Sequence, residues 1–187
     1  MNPDVRRRTL LSDAKVSALA AALDDVAAVP GDMAELGVYR GGVARILALR
    51  YPGRTVHLFD TFTGIPWDGY DAGTDRHHPG EFAASLPEVR EFLSDCPNVA
   101  FHPGLFPGTA AGLGDARFAL VHLDADLYAS TLAGLAWFWP RTHPGGRVVL
   151  DDYGWPHCPG VDRAVREFFG GVVPGTLSAP HQLTLTR

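Results

Sequence analysis

The sequence is short of the features that mark secreted, membrane-embedded and nucleic-acid-binding proteins. Cys96 and Cys158 are its only cysteines, and their spacing fits neither a metal site nor a redox motif, so both are expected to be reduced thiols. No apolar run approaches the length of a membrane span, and the basic N-terminus lacks the uninterrupted apolar segment of a secretory signal. We therefore expect a cytoplasmic protein with no membrane partner.

Basic residues are few and almost all of them are arginine. The formal net charge is −5, and Lys15 is the only lysine. The sequence therefore lacks the overall basic surface that nucleic acid requires. The composition, 46% hydrophobic and 20% charged, is that of a globular protein, and the length is enough to bury a full core without disulfides or structural metal. We expect residues 1–187 to form one domain.

Short apolar runs alternate with amphipathic stretches along the chain. Leu19 and Leu23 lie on one face of a predicted helix that Ser12 or Asp13 caps. The same patterns predict helices over 13–28, 43–51, 81–95, 130–139 and 161–168, and strands over 55–59, 98–102, 118–123 and 147–150. A further strand is predicted to begin at residue 32 and to lead into a glycine turn that ends at residue 42. This alternation indicates an α/β fold with a mostly parallel sheet and helices on both faces.

Two further expectations concern the second half of the chain. Ser130 or Thr131 is expected to cap the helix there, and Pro140 together with Pro144-Gly145-Gly146 is expected to end it. The apolar tail is expected to form two closing strands of an antiparallel edge, with apolar positions Val172, Val173, Leu183 and Leu185.

Four carboxylates follow two of the apolar runs directly. Asp124 and Asp126 follow the run that ends at Leu123, and Asp151 and Asp152 follow the run that ends at Leu150. Ligands of open α/β sheets bind outside the carboxyl ends of the strands, so acids there indicate a site. If the two strands are neighbours, the carboxylates face one another and need a proton or a cation between them. A hard divalent ion such as Mg²⁺ suits such oxygen ligands.

A second motif is the glycine turn around Gly37 and Gly41, which lies between a strand and a helix. Glycines there let backbone N–H groups approach a ligand at a helix N-terminus. The next strand ends in Asp60, at about the distance where a Rossmann-like fold places its ribose-binding acid. Turn and acid together indicate a nucleoside site, although Asp60 as a simple helix cap or turn residue is the alternative.

Residues 61–79 are polar, aromatic and rich in glycine, with no periodicity. A loop of this length in a small domain is a functional lid or a disordered segment, and we expect it to be mobile without cofactor. His77 or His78 could serve as a base from this lid, or both could be solvated loop residues.

Several single residues have two readings. His122, inside a strand, is expected to be a packed and hydrogen-bonded core residue. Asp126 either caps the following helix or binds metal. Arg40 either pairs with the carboxylate of a ligand or is a surface charge. Trp67, Tyr70 and Phe106 either line an acceptor pocket or contribute ordinary packing.

Four blocks of sequence together resemble the macrocin O-methyltransferase family. They are Glu35-Leu36-Gly37-Val38-Tyr39-Arg40-Gly41-Gly42, Phe59-Asp60-Thr61-Phe62-Thr63-Gly64-Ile65-Pro66, His122-Leu123-Asp124-Ala125-Asp126-Leu127-Tyr128-Ala129-Ser130-Thr131, and Asp151-Asp152-Tyr153 with Pro159-Gly160-Val161 and Ala164-Val165. The resemblance implies a Rossmann-like class I methyltransferase that binds S-adenosylmethionine and Mg²⁺. It also implies a small-molecule acceptor with a hydroxyl group, such as the sugar of a macrolide or aminocoumarin in antibiotic biosynthesis.

The resemblance also implies roles for individual residues. The glycine turn would lie under the methionine moiety, Asp60 would bind the ribose, and Asp124, Asp151 and Asp152 would hold the metal. The full set of expected cofactor contacts is Glu35, Leu36, Gly37, Tyr39, Arg40, Gly41, Asp60, Thr61, Phe62, Gly104 and Phe106. Asp124, His77 and His78 are the candidate catalytic bases.

Methyl transfer to an alcohol needs the oxygen in line with the S–CH₃ bond and relieved of its proton, and Mg²⁺ can serve both needs. A nucleotide-binding module without transfer chemistry and a metal-dependent hydrolase are the alternatives. The first should show GxGxxG in the turn, which is absent, and the second should have ligands on more strand ends. A homo-oligomer is compatible with the sequence.

Overall fold

The computed structural model describes residues 2–187, which are organised around a seven-stranded sheet in the order β3-β2-β1-β4-β5-β7-β6. The strands are β1 Asp32–Leu36, β2 Val56–Asp60, β3 Val99–Pro103, β4 Phe118–Leu123, β5 Thr142–Asp151, β6 Gly175–Ala179 and β7 Gln182–Thr186. The first five strands pair in parallel, whereas β7 runs antiparallel to both of its neighbours, β5 and β6. The predicted mostly parallel sheet with an antiparallel edge is confirmed.

Helices cover both faces of this sheet, as predicted. They are α1 Pro3–Arg6, α2 Asp13–Asp25, α3 Gly42–Arg50, α4 Leu86–Phe92, α5 Tyr128–Phe138 and α6 Pro159–Phe168. Helices α2, α3 and α4 share one buried cluster with Met33 and Leu120, and α5 and α6 share the opposite cluster with Ala34 and Val121. Successive strand residues thus alternate between two apolar layers, which explains why the central strands are apolar throughout.

The N-cap of α2 is the predicted one. The Ser12 side chain accepts a hydrogen bond from the Lys15 N–H at 3.3 Å, and the helix ends at Asp25 instead of residue 28. No helix within residues 2–187 has the length and apolar character needed to span a membrane.

Other boundaries differ from the prediction for local reasons. Helix α4 begins at Leu86 instead of residue 81, because Phe82 has φ 60° and Ser85 caps the helix. Helix α5 begins at Tyr128, so Ser130 and Thr131 lie inside it and cap nothing.

Strand β5 contains Pro144-Gly145-Gly146, which was expected to be a helix stop. The pairing of β4 with β5 shifts register there, since Phe118 pairs with Thr142 but Leu120 pairs with Arg147. A proline without an N–H fits such an irregularity. Of the tail positions, Leu183 and Leu185 lie in β7, whereas Val172 and Val173 precede β6 and belong to no strand.

The order of the strands positions the site. From β1 the chain builds outward through β2 to β3, then returns to the other side of β1 for β4 and β5. This reversal between β1 and β4 is the topological switch point, where α/β sheets bind ligands at the carboxyl ends of the strands.

Candidate active site

A cavity of about 300 Å³ opens at the carboxyl ends of β1, β2, β4 and β5. Its size is that of a small-molecule site. Most of the predicted site residues line it: Glu35, Leu36, Gly37, Tyr39, Asp60, Thr61, His77, Gly104, Phe106, Asp124, Asp151 and Asp152. The fold therefore brings the glycine turn, the end of β2 and the acid cluster into one space.

Asp60 is bound firmly by the backbone around it. Its Oδ2 accepts the N–H groups of Val38 at 2.7 Å and Tyr39 at 2.9 Å, and its Oδ1 accepts the N–H of Phe62 at 2.6 Å. Three backbone donors on one carboxylate hold the glycine turn against the end of β2. Asp60 therefore stabilises the turn, which is the alternative role considered for it. Binding of a ribose through its remaining lone pairs stays a prediction.

The glycine turn touches the end of β4. Gly37 has φ +89°, and a Cβ at this position would lie 1.8 Å from the carbonyl oxygen of Asp124. Only glycine accommodates both the left-handed backbone and this approach. Gly37 thus joins the expected cofactor side of the cavity to the acid cluster.

The acid cluster consists of Asp124, Asp126, Asp151 and Asp152. Carboxylate oxygens of Asp124, Asp126 and Asp152 lie within 4.8 Å of one another. Burial raises the pKa of Asp124 well above its usual range, and the charges of Asp151 and Asp152 raise it further. Burial, followed by the charge of Asp152, raises the pKa of Asp126 to about 7. The cluster therefore favours a proton or a cation.

Lys15 supplies a cation to this cluster from α2. Its Nζ lies 3.2 Å from Asp151 Oδ2 and 3.1 Å from Asp152 Oδ1, and only 8% of its side chain is exposed. Burial lowers the pKa of Lys15, but the charges of Asp151 and Asp152 outweigh that effect and the net shift of the pKa is upward. Lys15 is thus an ammonium ion held between two carboxylates.

Asp151 is the most enclosed acid of the cluster, with 4% of its surface exposed. Its Oδ1 accepts a hydrogen bond from Gln182 Nε2 at 2.9 Å, and its Oδ2 faces Lys15. Both oxygens therefore have partners within the protein.

The donor set suits Mg²⁺, since carboxylate oxygens within 4.8 Å of one another match the ligands of a hard ion. The residues grouped in this way are Asp124, Asp126 and Asp152, whereas the set expected from the family resemblance was Asp124, Asp151 and Asp152. Asp151 instead groups with Asp124 and His122.

A buried polar pair lies beneath the cluster. Glu35 on β1 and His122 on β4 are register partners, and His122 Nδ1 lies 3.4 Å from Glu35 Oε1. Burial raises the pKa of Glu35 to about 7, against the opposite effect of His122. His122 is fully buried as expected, but neither of its ring nitrogens has a hydrogen-bond partner among the described residues, so the expected hydrogen bonds are not present.

The 61–79 loop covers one side of the cavity. Backbone hydrogen bonds close its base, from Ile65 N to Glu81 O and from Gly80 N to Ile65 O, both at 2.9 Å. His77 lines the cavity and its Nδ1 lies 2.9 Å from Glu81 Oε2. His78 instead contacts the Tyr70 hydroxyl at 3.1 Å and does not line the cavity.

Three other expected cofactor contacts lie outside the cavity. Arg40 is exposed and stacks on the Tyr39 ring at 5.0 Å. Gly41 packs against Val89 of α4, and Phe62 is part of the core on that face of the sheet.

A model of the macrocin O-methyltransferase family matches residues 3–170. The chain belongs to this family. It is 40% identical over 147 residues to an 8-demethyl-8-(2,3-dimethoxy-alpha-L-rhamnosyl)-tetracenomycin-C 4'-O-methyltransferase of Streptomyces olivaceus, covering 70% of this chain and 56% of the relative. It is 36% identical over 157 residues to a demethyldecarbamoylnovobiocin O-methyltransferase of Streptomyces niveus, covering 75% and 58%. The chain thus spans a little over half the length of these curated relatives.

A solved structure with a similar fold is that of the O-methyltransferase NovP. It superposes with a TM-score of 0.83 at 30% identity and covers 96% of this chain and 82% of that chain. The seven-stranded sheet is accordingly that of a class I methyltransferase, as the resemblance implied.

The sequence patterns did not predict that Lys15 lines the cavity. The pattern of this helix indicates only that it packs on the sheet. Lys15 lies four residues before Leu19, on the buried face of α2 that also carries Ala22 and Leu23. A single lysine on an apolar stripe is a signal that could have found it, because a buried ammonium needs a carboxylate partner.

Asp126 does not cap α5, whose N-cap is Leu127 without a side-chain hydrogen bond. Asp126 and Asp152 both have positive φ, 57° and 62°, as does Tyr39 at 52°. Left-handed backbone at non-glycine residues concentrates at functional sites. Here it marks the ends of β1, β4 and β5, where the side chains turn into the cavity.

Proposed function

We propose that the chain transfers a methyl group from S-adenosylmethionine to a hydroxyl group of a small molecule, of the kind carried by the sugar of a glycosylated secondary metabolite. The observation that carries this proposal is the position of Asp124, which faces the same cavity as the glycine turn and Asp60. A base close to a nucleoside site is what transfer to an alcohol requires. The named activities of the two curated relatives support the acceptor class.

The cofactor side of the cavity would be formed by residues 35–39, Asp60, Thr61, Gly104 and Phe106. S-adenosylmethionine, when bound, supplies the electrophilic methyl group on its sulfonium. The backbone that follows β1 and β2 would orient the cofactor, because Asp60 holds the N–H groups of Val38, Tyr39 and Phe62 in place. The wall formed by Ile65 and Phe106 excludes water from the transfer.

Asp124 is the base that we propose for the acceptor hydroxyl. Without metal, burial and then the charges of Asp151 and Asp152 raise the pKa of Asp124, so it binds a proton more tightly than an ordinary carboxylate does. Asp124, Asp126 and Asp152 would hold Mg²⁺, which supplies a Lewis acid for the hydroxyl. His77 lines the same cavity and is the alternative base, while His78 lies outside it.

The test has two stages. Calorimetry with S-adenosylhomocysteine measures cofactor binding, and release of S-adenosylhomocysteine from S-adenosylmethionine measures transfer to rhamnosylated acceptors and to their aglycones. We expect binding, and turnover with the glycosylated acceptors. Absence of binding would contradict the proposal, and binding without turnover on any hydroxylated acceptor would favour a binding module.

The Asp124→Asn variant separates chemistry from binding. It should lower turnover at least 1,000-fold, which corresponds to about 4 kcal/mol in the barrier, while S-adenosylhomocysteine affinity changes little. His77→Gln is the matched variant for the alternative base. If His77→Gln loses turnover and Asp124→Asn keeps it, the histidine is the base.

A further inference from the structure

One cation, the ammonium of Lys15, already lies against part of the acid cluster. Lys15 Nζ contacts Asp151 Oδ2 at 3.2 Å and Asp152 Oδ1 at 3.1 Å, and these carboxylates are 3% and 16% exposed in their side chains. The ring of Trp155 lies 5.3 Å from the same Nζ and covers the ammonium further. Lys15 is the only lysine of a chain whose other basic residues are arginines. A compact ammonium resembles a metal ion more closely than a planar guanidinium does.

Lys15 contacts two carboxylates that are candidate metal ligands. Asp152 belongs to the group with Asp124 and Asp126, and Asp151 belongs to the set that the family resemblance implies. Asp151 has Gln182 Nε2 on Oδ1 at 2.9 Å and Lys15 on Oδ2, so each oxygen already has one partner and a divalent ion at Oδ2 would meet the charge of the ammonium. Asp152 has Lys15 on Oδ1. Asp124 is in a different position, because Lys15 makes no hydrogen bond with it.

We propose that the Lys15 ammonium competes with a divalent cation for Asp151 and Asp152, and thereby sets the metal affinity of the cluster. While Lys15 occupies these oxygens, only the fraction of molecules in which it has left binds an ion through them. The apparent dissociation constant rises in inverse proportion to that fraction. The proposal deepens the proposed function, since the cluster belongs to the same site.

A purely structural role for Lys15 gives a different expectation. Arg147 of β5 pairs with Asp25 of α2 at 3.2 Å, so a second ion pair joins the same helix to the same strand far from the cluster. If Lys15 only anchors α2, removing either cation should have the same small effect on metal binding. Arg147→Met is therefore a matched control for Lys15→Met, because both replace one positive charge with an unbranched apolar side chain.

The experiment measures Mn²⁺ binding by electron paramagnetic resonance of the free ion, without cofactor or acceptor. Lys15→Met should bind Mn²⁺ at least tenfold more tightly than the wild type, whereas Arg147→Met should stay within twofold of it. Equal affinities of Lys15→Met and the wild type, an equal gain in Arg147→Met, or no binding in any of the three would overturn the proposal.

A second measurement needs no variant and covers the case in which Lys15→Met does not fold. Because Lys15 is the only lysine, wild-type protein labelled with lysine that carries ¹³C at the ε-carbon gives a single ε-methylene signal in NMR. Addition of Mg²⁺ should move this signal in a saturable way as the ammonium leaves the carboxylates. A signal that stays fixed up to about 20 mM Mg²⁺, roughly twenty times the dissociation constant of the weakest protein sites for divalent ions, overturns the proposal. Either result is independent of methyl transfer, which is tested by turnover.

Discussion

Carboxylates lie in two regions at the carboxyl edge of the sheet. The first region is the end of β2 and the second is the ends of β4 and β5, and the two differ in how their carboxylates are stabilised. At the end of β2, Asp60 accepts three backbone N–H groups at 2.6 to 2.9 Å. At the ends of β4 and β5, burial and mutual repulsion raise the pKa of Asp124 and Asp126, and a single lysine contacts the remaining acids. The first region is internally satisfied, and the second is not.

This difference shows how one edge of a sheet can hold two kinds of function. Backbone donors fixed on Asp60 give a rigid turn that is suited to position a cofactor before it binds. Crowded carboxylates repel one another, and binding a proton or a cation relieves this repulsion, so this region is suited to bind either one. Each of the following experiments changes one residue in one of these regions or at the contact between them.

The largest effect is expected at Gly37, where the two regions meet. Gly37→Ala should destabilise the protein by at least about 4 kcal/mol, because its φ of +89° is unfavourable for alanine and its Cβ would lie 1.8 Å from the Asp124 carbonyl oxygen. Urea unfolding followed by circular dichroism measures this. Gly53→Ala is the control, since a Cβ there meets nothing within 4 Å, and it should change stability by about 1 kcal/mol at most. Wild-type stability of Gly37→Ala would show that the two regions are not in contact.

Asp60→Ala should have the next largest effect. The variant loses three charge-assisted hydrogen bonds and leaves the N–H groups of Val38, Tyr39 and Phe62 without this partner. We therefore expect the free energy of unfolding to fall by about 3 kcal/mol. S-adenosylhomocysteine affinity should fall at least tenfold, as measured by calorimetry. Asp32→Ala is a matched control at the other end of β1, because Asp32 accepts a single backbone N–H, from Thr55 at 3.1 Å. A folded Asp60→Ala with unchanged affinity would remove Asp60 from the cofactor site.

The two regions also differ in how far the sequence could predict them. The glycine turn, Asp60 and the strand that ends in it are contiguous patterns, and adjacent parallel strands necessarily place Asp124 beside Asp151. Lys15 could not be placed in this way, because it meets Asp151 across 136 residues of sequence through the packing of α2 on β5. Likewise, strand length in β5 was set by a register shift against β4, and not by the local Pro-Gly-Gly signal.

Asp126→Asn should stabilise the protein at high pH. The native pKa of Asp126 is about 7, above its ordinary value of 3.8, so the native state holds this proton more tightly than the unfolded chain does. The contribution of Asp126 to wild-type stability therefore falls as pH rises from about 4 to about 7, and the variant lacks this loss. We expect a gain of about 2 kcal/mol at pH 8, roughly half of the full linkage value because the neighbouring acids relax, and no gain near pH 4.

Thermal unfolding in EDTA at pH 4, 6 and 8 measures this gain, and asparagine tolerates the positive φ of residue 126. Asp68→Asn, at an exposed acid of the 61–79 loop, matches the change in charge and should show no such trend. A gain of equal size at all three pH values would mean that asparagine merely suits the backbone better. Saturating Mg²⁺ should reduce the gain, because the ion stabilises only the wild-type carboxylate.

The smallest effect is expected at Arg40, which marks where the first region ends. Its position in the glycine turn is compatible with pairing to the carboxylate of the methionine moiety or with a surface charge. The side chain is exposed, stacks on Tyr39 and does not line the cavity. Arg40→Ala should therefore change S-adenosylhomocysteine affinity less than twofold, or about 0.4 kcal/mol, in calorimetry. A tenfold loss that shrinks at high salt would mean that the guanidinium turns toward the cofactor on binding, since an exposed charge pair weakens as salt screens it. The satisfied region would then be rigid in its backbone but not in its charged side chains.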